Sequence, residues 1–221
     1  MDEQRKLLVL RLEGALQSWG EGSKWDYRDS GILPTKSGIV GLLGCALGLE
    51  RDDPRLAELS ASLSLAVRSD RLGSGAADFQ TVTGDPLLNA SGKPKSGGNT
   101  IISRREYRED ASYTVVAETS AAWHDRLVAA LEAPQWCLYL GRKSCVPSRP
   151  VLECAEPPYT DMEDCIRHYP AAPRAEYPMT VEWHTEMPGC TTLTRTDERV
   201  GGYRSFVSRR VWRSVIREGE V

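Results

Sequence analysis

The sequence lacks several features that would assign it to common classes of protein. Its six cysteines include no C-x-x-C pair, and there are only three histidines, so neither a zinc site nor a compact disulfide framework is predicted. No apolar run approaches the length that spans a membrane, and the opening MDEQRKLLVL is unlike a secretory signal. We therefore expect a cytosolic protein with reduced thiols, no cofactor and no membrane association.

An excess of positive charge is also lacking. The 28 Lys and Arg residues are outnumbered by 31 Asp and Glu residues, which gives a formal net charge of −3. Bulk attraction to polyanions is thereby excluded, so nucleic-acid binding would have to rest on local basic clusters. The 221 residues, 40% of them hydrophobic, suffice for one substantial core and predict one domain, or one domain with an appendage.

Apolar patterning and turn residues predict alternating strands and helices over residues 1–150. Strands are predicted within 6–16, 64–71, 78–84, 101–107, 112–118 and 136–144, and helices over 34–49, 53–63 and 120–134. With extra pieces, this order corresponds to the β-α-β-β-α-β of a ferredoxin-like (RRM-like) α+β fold. The first of these helices carries four glycines. Because glycine inside a helix lowers helix stability relative to alanine, their presence predicts close contact with a sheet, a partner or a ligand.

Two stretches fall outside this pattern. Residues 72–100 are dominated by Gly, Ser, Pro, Asn and Asp, which predicts a projecting hairpin or a disordered loop. Near residue 150 the composition shifts toward proline, and we predict a domain boundary there. Residues 151–221 are then a small β-rich C-terminal region, with short strands in MTVEWHT, TTLTRT and YRSFVSRRVWRSVI.

The segment PTKSG, residues 34–38, stands where a helix is predicted to begin. Free backbone N–H groups at a helix start, together with Lys36 and the hydroxyls of Thr35 and Ser37, would make an anion site for an RNA phosphate. The alternative is an ordinary capped helix start with a solvated lysine.

The loop before that helix interleaves aromatic residues with cations. Its candidates are Gln17, Ser18, Trp19, Lys24, Trp25, Tyr27 and Arg28. This composition is typical of single-stranded RNA binding, in which bases stack on rings and cations follow the backbone. The alternative is that the tryptophans belong to the core, and this alternative is stronger for Trp25 than for Trp19.

Further basic residues follow the glycine-rich stretch and the last predicted strand. The candidates are Lys93 and Lys95 at the tip of the stretch, then Arg104, Arg105 and Arg108, and finally Arg142, Lys143 and Ser144. From strand ends and a mobile finger they could reach phosphates, whereas a disordered loop and charges kept for solubility are the alternatives. Five arginines within residues 203–217 suit RNA, an acidic partner or a solvated basic face.

At LRLEGALQSWG, PTKSGIVGLLGCALG, SRREY and LYLGRKSCVPSRP the sequence resembles the Cas-five family of CRISPR-associated proteins, most closely the CasD-type subunits of type I-E Cascade complexes. The resemblance implies a ferredoxin-like fold with a β-hairpin thumb at about residues 78–108. It also implies binding of the repeat-derived 5′ handle of the crRNA, contacts with the backbone and large subunits, contact with target DNA only through the complex, and no catalytic role.

Combining the resemblance with the basic clusters gives one set of expected RNA-binding residues. These are Gln17, Ser18, Trp19, Lys24, Arg28, Thr35, Lys36, Ser37, Arg104, Arg105, Arg108, Arg142, Lys143 and Ser144. Two rival functions stay open. One is a metal-independent endoribonuclease with His124, His168 or His184 as the base, His124 being expected on the helix surface. The other is a scaffold that contacts only protein.

Overall fold

The computed structural model describes residues 4–22, 24, 26–88, 92–94, 100–201 and 205–220. In these residues the strands are β1 (Arg5–Glu13), β2 (Leu16–Gln17), β3 (Tyr27–Arg28), β4 (Ser64–Arg71), β5 (Ser74–Thr83), β6 (Thr100–Glu109), β7 (Ser112–Ser120), β8 (Leu152–Cys154), β9 (Met179–Trp183), β10 (Thr191–Arg199) and β11 (Phe206–Ile216). The helices are α1 (Lys36–Ala46), α2 (Arg55–Ser62), α3 (Ala121–Glu132) and α4 (Met162–His168). None of these helices is long and apolar enough to cross a membrane.

Seven strands form the main sheet, in the order β10-β11-β9-β4-β7-β1-β8. Within it, β1 and β4 both pair with β7, so the strands joined by α1 and α2 are separated by a third strand. This split arrangement, completed by β8 on the far side of β1, is the ferredoxin-like order. The predicted α+β, ferredoxin-like fold is confirmed.

The prediction of a strand over 136–144 was wrong. Residues 136–145 form an irregular loop in which Leu140 and Cys145 are buried, and the backbone N–H of Leu140 donates to the carbonyl of Cys145 at 2.7 Å. The place beside β1 belongs to β8, where Leu152 pairs with Leu10. An apolar run with buried side chains fits a loop packed on the core as well as a strand, so periodicity could not separate them.

Helices cover both faces of the sheet. Helices α1, α2 and α3 pack on one face, over a cluster that includes Leu8, Leu10 and Val115. The unpredicted helix α4 packs on the other face, over a cluster around Val116 and Trp183. The alternation of β1 side chains between these two clusters explains its nearly continuous apolar sequence.

Strands β5 and β6 form a hairpin at the place of the predicted thumb. Their register runs through ten pairs, from Ser74 with Glu109 to Thr83 with Thr100. Phe79 is 68% exposed near the middle of the hairpin, and Lys95 lies outside the described residues. The hairpin is therefore an element with an exposed apolar surface, and its role as a thumb stays a prediction.

The strands after residue 150 belong to the same sheet as the strands before it. Strand β9 pairs with β4 from Ala66 to Arg68, and β11 and β10 follow outward from β9. The predicted C-terminal strands are confirmed. The boundary at residue 150 stays a prediction, and the sheet itself crosses it without interruption.

Candidate nucleic-acid interface

The N-terminus of α1 is where the sequence predicts an anion site. Thr35 caps this helix, because its Oγ1 accepts a hydrogen bond of 3.0 Å from the backbone N–H of Gly38. The backbone N–H of Lys36 donates to a carboxylate oxygen of Asp197, 2.7 Å away on β10. The position proposed for an RNA phosphate thus already holds an anionic side chain of the same protein.

The Lys36 side chain is buried and paired as well. Its Nζ lies 2.7 Å from a carboxylate oxygen of Glu198. Burial lowers the pKa of the Lys36 ammonium, and the hydrogen bond to Glu198 offsets part of that effect. The Lys36 side chain is therefore engaged within the protein, whereas Thr35 and Ser37 both line an open groove. Contact of these three residues with RNA stays a prediction.

Gln17 and Trp19 are buried in the core, and their contact with RNA stays a prediction. Gln17 is fully buried, and its Nε2 donates to the backbone carbonyls of Leu12 and Ala111 at 3.1 and 2.7 Å. The indole N–H of Trp19, a residue only 1% exposed, donates to Gln17 at 3.1 Å. The residue is thus almost wholly buried, although Trp19 is among the residues that line the groove beside α1. Trp25 lies outside the described residues.

Two of the predicted arginines hold loops to the hairpin root. Arg142 donates to the backbone carbonyls of Glu106, Arg28 and Asp29 at 2.9 to 3.1 Å. Arg108 donates to the carbonyls of Leu72 and Gly73. These guanidinium groups are engaged by backbone oxygens, so their first role is to fix the geometry of the site.

The other predicted residues near the hairpin differ in their exposure. Arg104 is exposed and lines a small pocket of about 290 Å³ at the hairpin root, together with Tyr107 and Gly75. Arg105 is half-buried, and its Nε donates to Ser103 at 3.3 Å. Ser144 is exposed at the end of the 136–144 loop. Arg104 is the arginine of this group best placed for an external ligand.

A groove of about 1480 Å³ runs beside α1. Ser37, Gly38, Gly41 and Cys45 line it at three- and four-residue spacing, and so form one face of the helix. The surrounding walls come from residues 18–21, 24 and 28, from residues 136–146, and from the end of β10 and the start of β11. Because the side chains along this face of α1 are small, the helix backbone lies close to the groove.

Cations predominate around this groove. Those that line it are Lys24, Arg28, Arg51, Lys143 and Arg199, and the acids that line it are Glu21 and Asp197. Both acids are neutralised within the protein, since Glu21 pairs with Arg195 and Asp197 pairs with Arg209. The groove therefore attracts anions although the whole chain has a net charge of −3.

The sequence predictions identified part of this groove. The predicted residues that line it are Ser18, Trp19, Lys24, Arg28, Thr35, Ser37 and Lys143. The missed residues are Arg51, Trp136, Tyr139, Arg199 and Phe206. Trp136 and Tyr139 were assigned to a strand that does not form, and Arg199 and Phe206 come from the end of the chain that is most distant in sequence. A groove with cations, exposed rings and no deep enclosure suits a single-stranded nucleic acid.

Fold, hairpin and groove together define a class, a ferredoxin-like protein with a basic groove fit for single-stranded nucleic acid. Residues 7–221 match the family model described as CRISPR-associated protein (Cas_Cas5). The chain therefore belongs to the Cas-five family of CRISPR-associated proteins.

Individual relatives agree with this membership. The chain is 36% identical over 160 residues to the protein named CRISPR system Cascade subunit CasD of Escherichia coli strain K12, covering 67% of this chain and 70% of that one. A solved chain titled CRISPR RNA-guided surveillance complex is 28% identical, with a TM-score of 0.76 over 96% of this chain and 90% of its own length. Another, titled Crystal structure of Cas protein, is 30% identical, with a TM-score of 0.74 over 97% of each chain.

Proposed function

We propose that this protein is a subunit of a type I-E CRISPR surveillance (Cascade) complex and that it binds the repeat-derived 5′ handle of the crRNA in the groove along α1. The observation that carries the binding site is the set of cations, most of them exposed, along a groove whose own acids are neutralised. Similarity to the CasD subunit of Escherichia coli and to a chain of an RNA-guided surveillance complex supports the assembly.

Phosphates of the RNA would contact the basic wall of this groove. Lys24, Arg28 and Lys143 have exposed side chains on that wall. Lysine and arginine contacts of this kind release counterions and give affinity without base specificity. The engaged guanidinium of Arg142 would support the wall by keeping the carbonyls of residues 28 and 29 in place.

The hairpin of β5 and β6 would serve as the thumb, in contact with a neighbouring subunit of the complex. Phe79, Val82 and Ile102 are 68%, 49% and 53% exposed on it. Several exposed apolar residues on one hairpin are typical of a protein interface. The backbone and large subunits are the partners we propose, and target DNA would be reached only through the assembled complex.

Filter binding across salt concentrations tests the RNA role. The purified chain, alone and with its co-expressed partner subunits, is titrated against RNA bearing the repeat-derived 5′ end and against a scrambled strand. We expect selective binding, and we expect Lys143→Glu and Arg28→Glu each to weaken it. Each variant should also reduce the slope of log K against log salt by about 0.7, the value for one lost phosphate contact on a single strand.

The control is Arg217→Glu, which reverses a charge on an arginine that is 71% exposed and does not line the groove. It should leave affinity and slope unchanged. The proposal fails if Lys143→Glu and Arg28→Glu leave RNA affinity and salt slope as unchanged as the control does. If the complex still assembles with these variants, the scaffold function replaces the proposal.

We further infer that the subunit does not cleave RNA. His124, expected on the surface, is buried on α3, with its Nε2 2.7 Å from the backbone oxygen of Ala155. His184 has a buried side chain beside Arg209, and His168 lies at the end of α4 on the other face of the sheet. These three side chains do not line the groove in the described part of the chain. Site-specific cleavage in chelator on a denaturing gel, abolished by His168→Ala, would instead support the endoribonuclease.

A further inference from the structure

The groove beside α1 has an apolar end that phosphate binding does not explain. Where α1 finishes, it is lined by Cys45, Leu49, Leu56 and Trp136. Cys45, Leu49 and Leu56 are nearly buried, at 7, 5 and 4% exposed, whereas 43% of Trp136 is exposed. Among the tryptophans that the structure describes, Trp136 is the most exposed, in contrast to Trp19 and Trp183 in the core.

The backbone around Trp136 is held in place on both sides. The N–H of Gln135 donates to the carbonyl of Ala46 at 2.9 Å, and the Cys45 thiol donates to the carbonyl of Cys137 at 3.3 Å. Close packing adds to these bonds, since a Cβ on Gly48 would lie 2.6 Å from the Gln135 side chain. A large ring is thus presented to solvent from a fixed backbone, which removes much of the entropy cost of contact with a ligand.

The charges nearby indicate what the ring contacts. Arg51 is exposed at this end of the groove, and its backbone carbonyl accepts a hydrogen bond from the guanidinium of Arg199. An aromatic ring beside cations, continuous with a basic wall, is complementary to a nucleotide, whose base is apolar on its faces and whose phosphate is anionic. A purely apolar peptide would leave the cations without partners.

The open side of α1 completes the arrangement. A Cβ placed on Gly41 would meet no atom within 4 Å, so at this position the protein itself fills no space beside the helix. From Gly38 to Cys45 the exposed face of the helix extends for about 10 Å. A single strand can therefore lie along the helix between the basic wall and the aromatic end.

We propose that Trp136 is a base-stacking residue of this groove, on which one base of the bound single-stranded RNA lies while its phosphates contact the basic wall. The proposal rests on the proposed function, because it assigns a place to one base of the same RNA. Stacking on a ring is tolerant of sequence, so the position along the strand, and not the identity of the base, is what Trp136 selects.

The test uses the full chain co-purified with its partner subunits, and handle RNA in which 2-aminopurine replaces one base at a time. Stacking on an indole quenches this fluorophore. We expect quenching at one position with the wild-type chain, and recovery of that fluorescence with Trp136→Ala. Affinity should fall by about 5- to 150-fold in Trp136→Ala and by much less in Trp136→Phe, which keeps a ring.

Controls separate this inference from the RNA role itself. Because tryptophan carries no charge, Trp136→Ala should leave the salt slope unchanged, unlike the groove cations. Val215→Ala, at a side chain 44% exposed and outside the groove, should alter neither signal. RNA binding with no effect of Trp136→Ala on fluorescence or affinity would overturn the stacking and leave the proposed function standing. If Trp136→Ala binds RNA unchanged but no longer assembles with the partner subunits, Trp136 is a protein contact. If the wild-type chain with its partners does not bind the RNA, the proposed function itself is refuted.

Discussion

At the scale of single residues, the protein itself supplies anionic partners for Lys36, a residue that sequence reasoning assigned to an RNA phosphate. Asp197 accepts from the backbone N–H of Lys36, and Glu198 pairs with the Lys36 ammonium. Arg209, whose Nε donates to Asp197 at 2.7 Å, extends this network toward His184. A carboxylate at a helix N-terminus gives the same electrostatic stabilisation as a phosphate, so the motif predicted an anion and only the strand β10 showed which one.

His184 makes stability depend on pH. Its Nε2 accepts from Arg209 at 3.1 Å, and burial, followed by the charges of Arg209, Lys36 and Arg195, lowers its pKa well below 6.5. The folded state keeps the ring neutral while the unfolded state binds a proton, so stability is lost as pH falls below about 6.5. Between about pH 7.5 and about pH 5.5 this residue should lower the free energy of unfolding by about 1.4 kcal/mol.

Urea unfolding at both pH values measures this contribution. In His184→Gln the loss of stability over this interval should be smaller than in the wild-type chain by that amount. If the variant keeps the whole wild-type difference between the two pH values, then His184 is protonated in the folded protein and the assignment is wrong.

At the scale of one element, glycine occupies its three positions in α1 for different reasons. A Cβ on Gly38 would lie 2.9 Å from both Thr35 Oγ1 and the ring of Trp19, and a Cβ on Gly44 would lie 2.4 Å from Leu56. Gly41, in contrast, faces open space. Gly38 and Gly44 are thus required by packing within the protein, whereas Gly41 leaves room in the groove. The close contact that the sequence predicts is therefore with the core at two glycines and is open to a ligand at the third.

Matched substitutions in α1 should therefore have opposite signs. Gly38→Ala places a methyl group against a buried ring and should destabilise the protein by about 1–3 kcal/mol. Gly41→Ala adds helix propensity at an exposed position and should stabilise it by about 0.5–1 kcal/mol. Chemical denaturation of both variants checks the pair, and equal effects of the same sign would contradict the packing argument.

At the scale of the whole molecule, one sheet unites the chain on both sides of residue 150. Asp70 on β4 is fully buried, and it accepts from Arg68 at 2.7 Å and from the backbone N–H of Ala172 at 2.7 Å. Arg68 in turn donates to the carbonyl of Ile166 at 2.7 Å. The segment after residue 150 thus supplies some of the hydrogen-bond partners of buried charges on the strands before it, and a chain without that segment would leave part of their hydrogen-bonding capacity unsatisfied.

A fragment of residues 1–150 should consequently fail to fold cooperatively. It loses β8 beside β1, β9 beside β4 and the carbonyls that Arg68 and Arg11 bind. Thermal unfolding followed by circular dichroism measures this, with a chain ending at residue 216, after β11, as the control that should keep the cooperative transition. A sharp transition of the 1–150 fragment would support an independent domain ending at residue 150.

Local signals in the sequence located most of the elements. Thr35 and Ser120 cap the helices where the sequence predicts caps, and the strands at 64–71 and 112–118 form as predicted. Capping and apolar periodicity act within a few residues, so they can be read without the fold. Helix α4, seven residues long in an acidic stretch, was missed because so short a segment shows little periodicity.

The sequence by itself determined the fold class, the hairpin and the family resemblance, because these depend on local patterns in their order along the chain. The tertiary structure decided which of the described cations are engaged within the protein and which are exposed. Lys36 pairs with a carboxylate, and Arg142 donates to backbone carbonyls, from distant parts of the chain. Lys24 and Lys143, in contrast, are exposed. Burial and pairing arise from contacts between residues far apart in the chain, and no local pattern encodes those contacts.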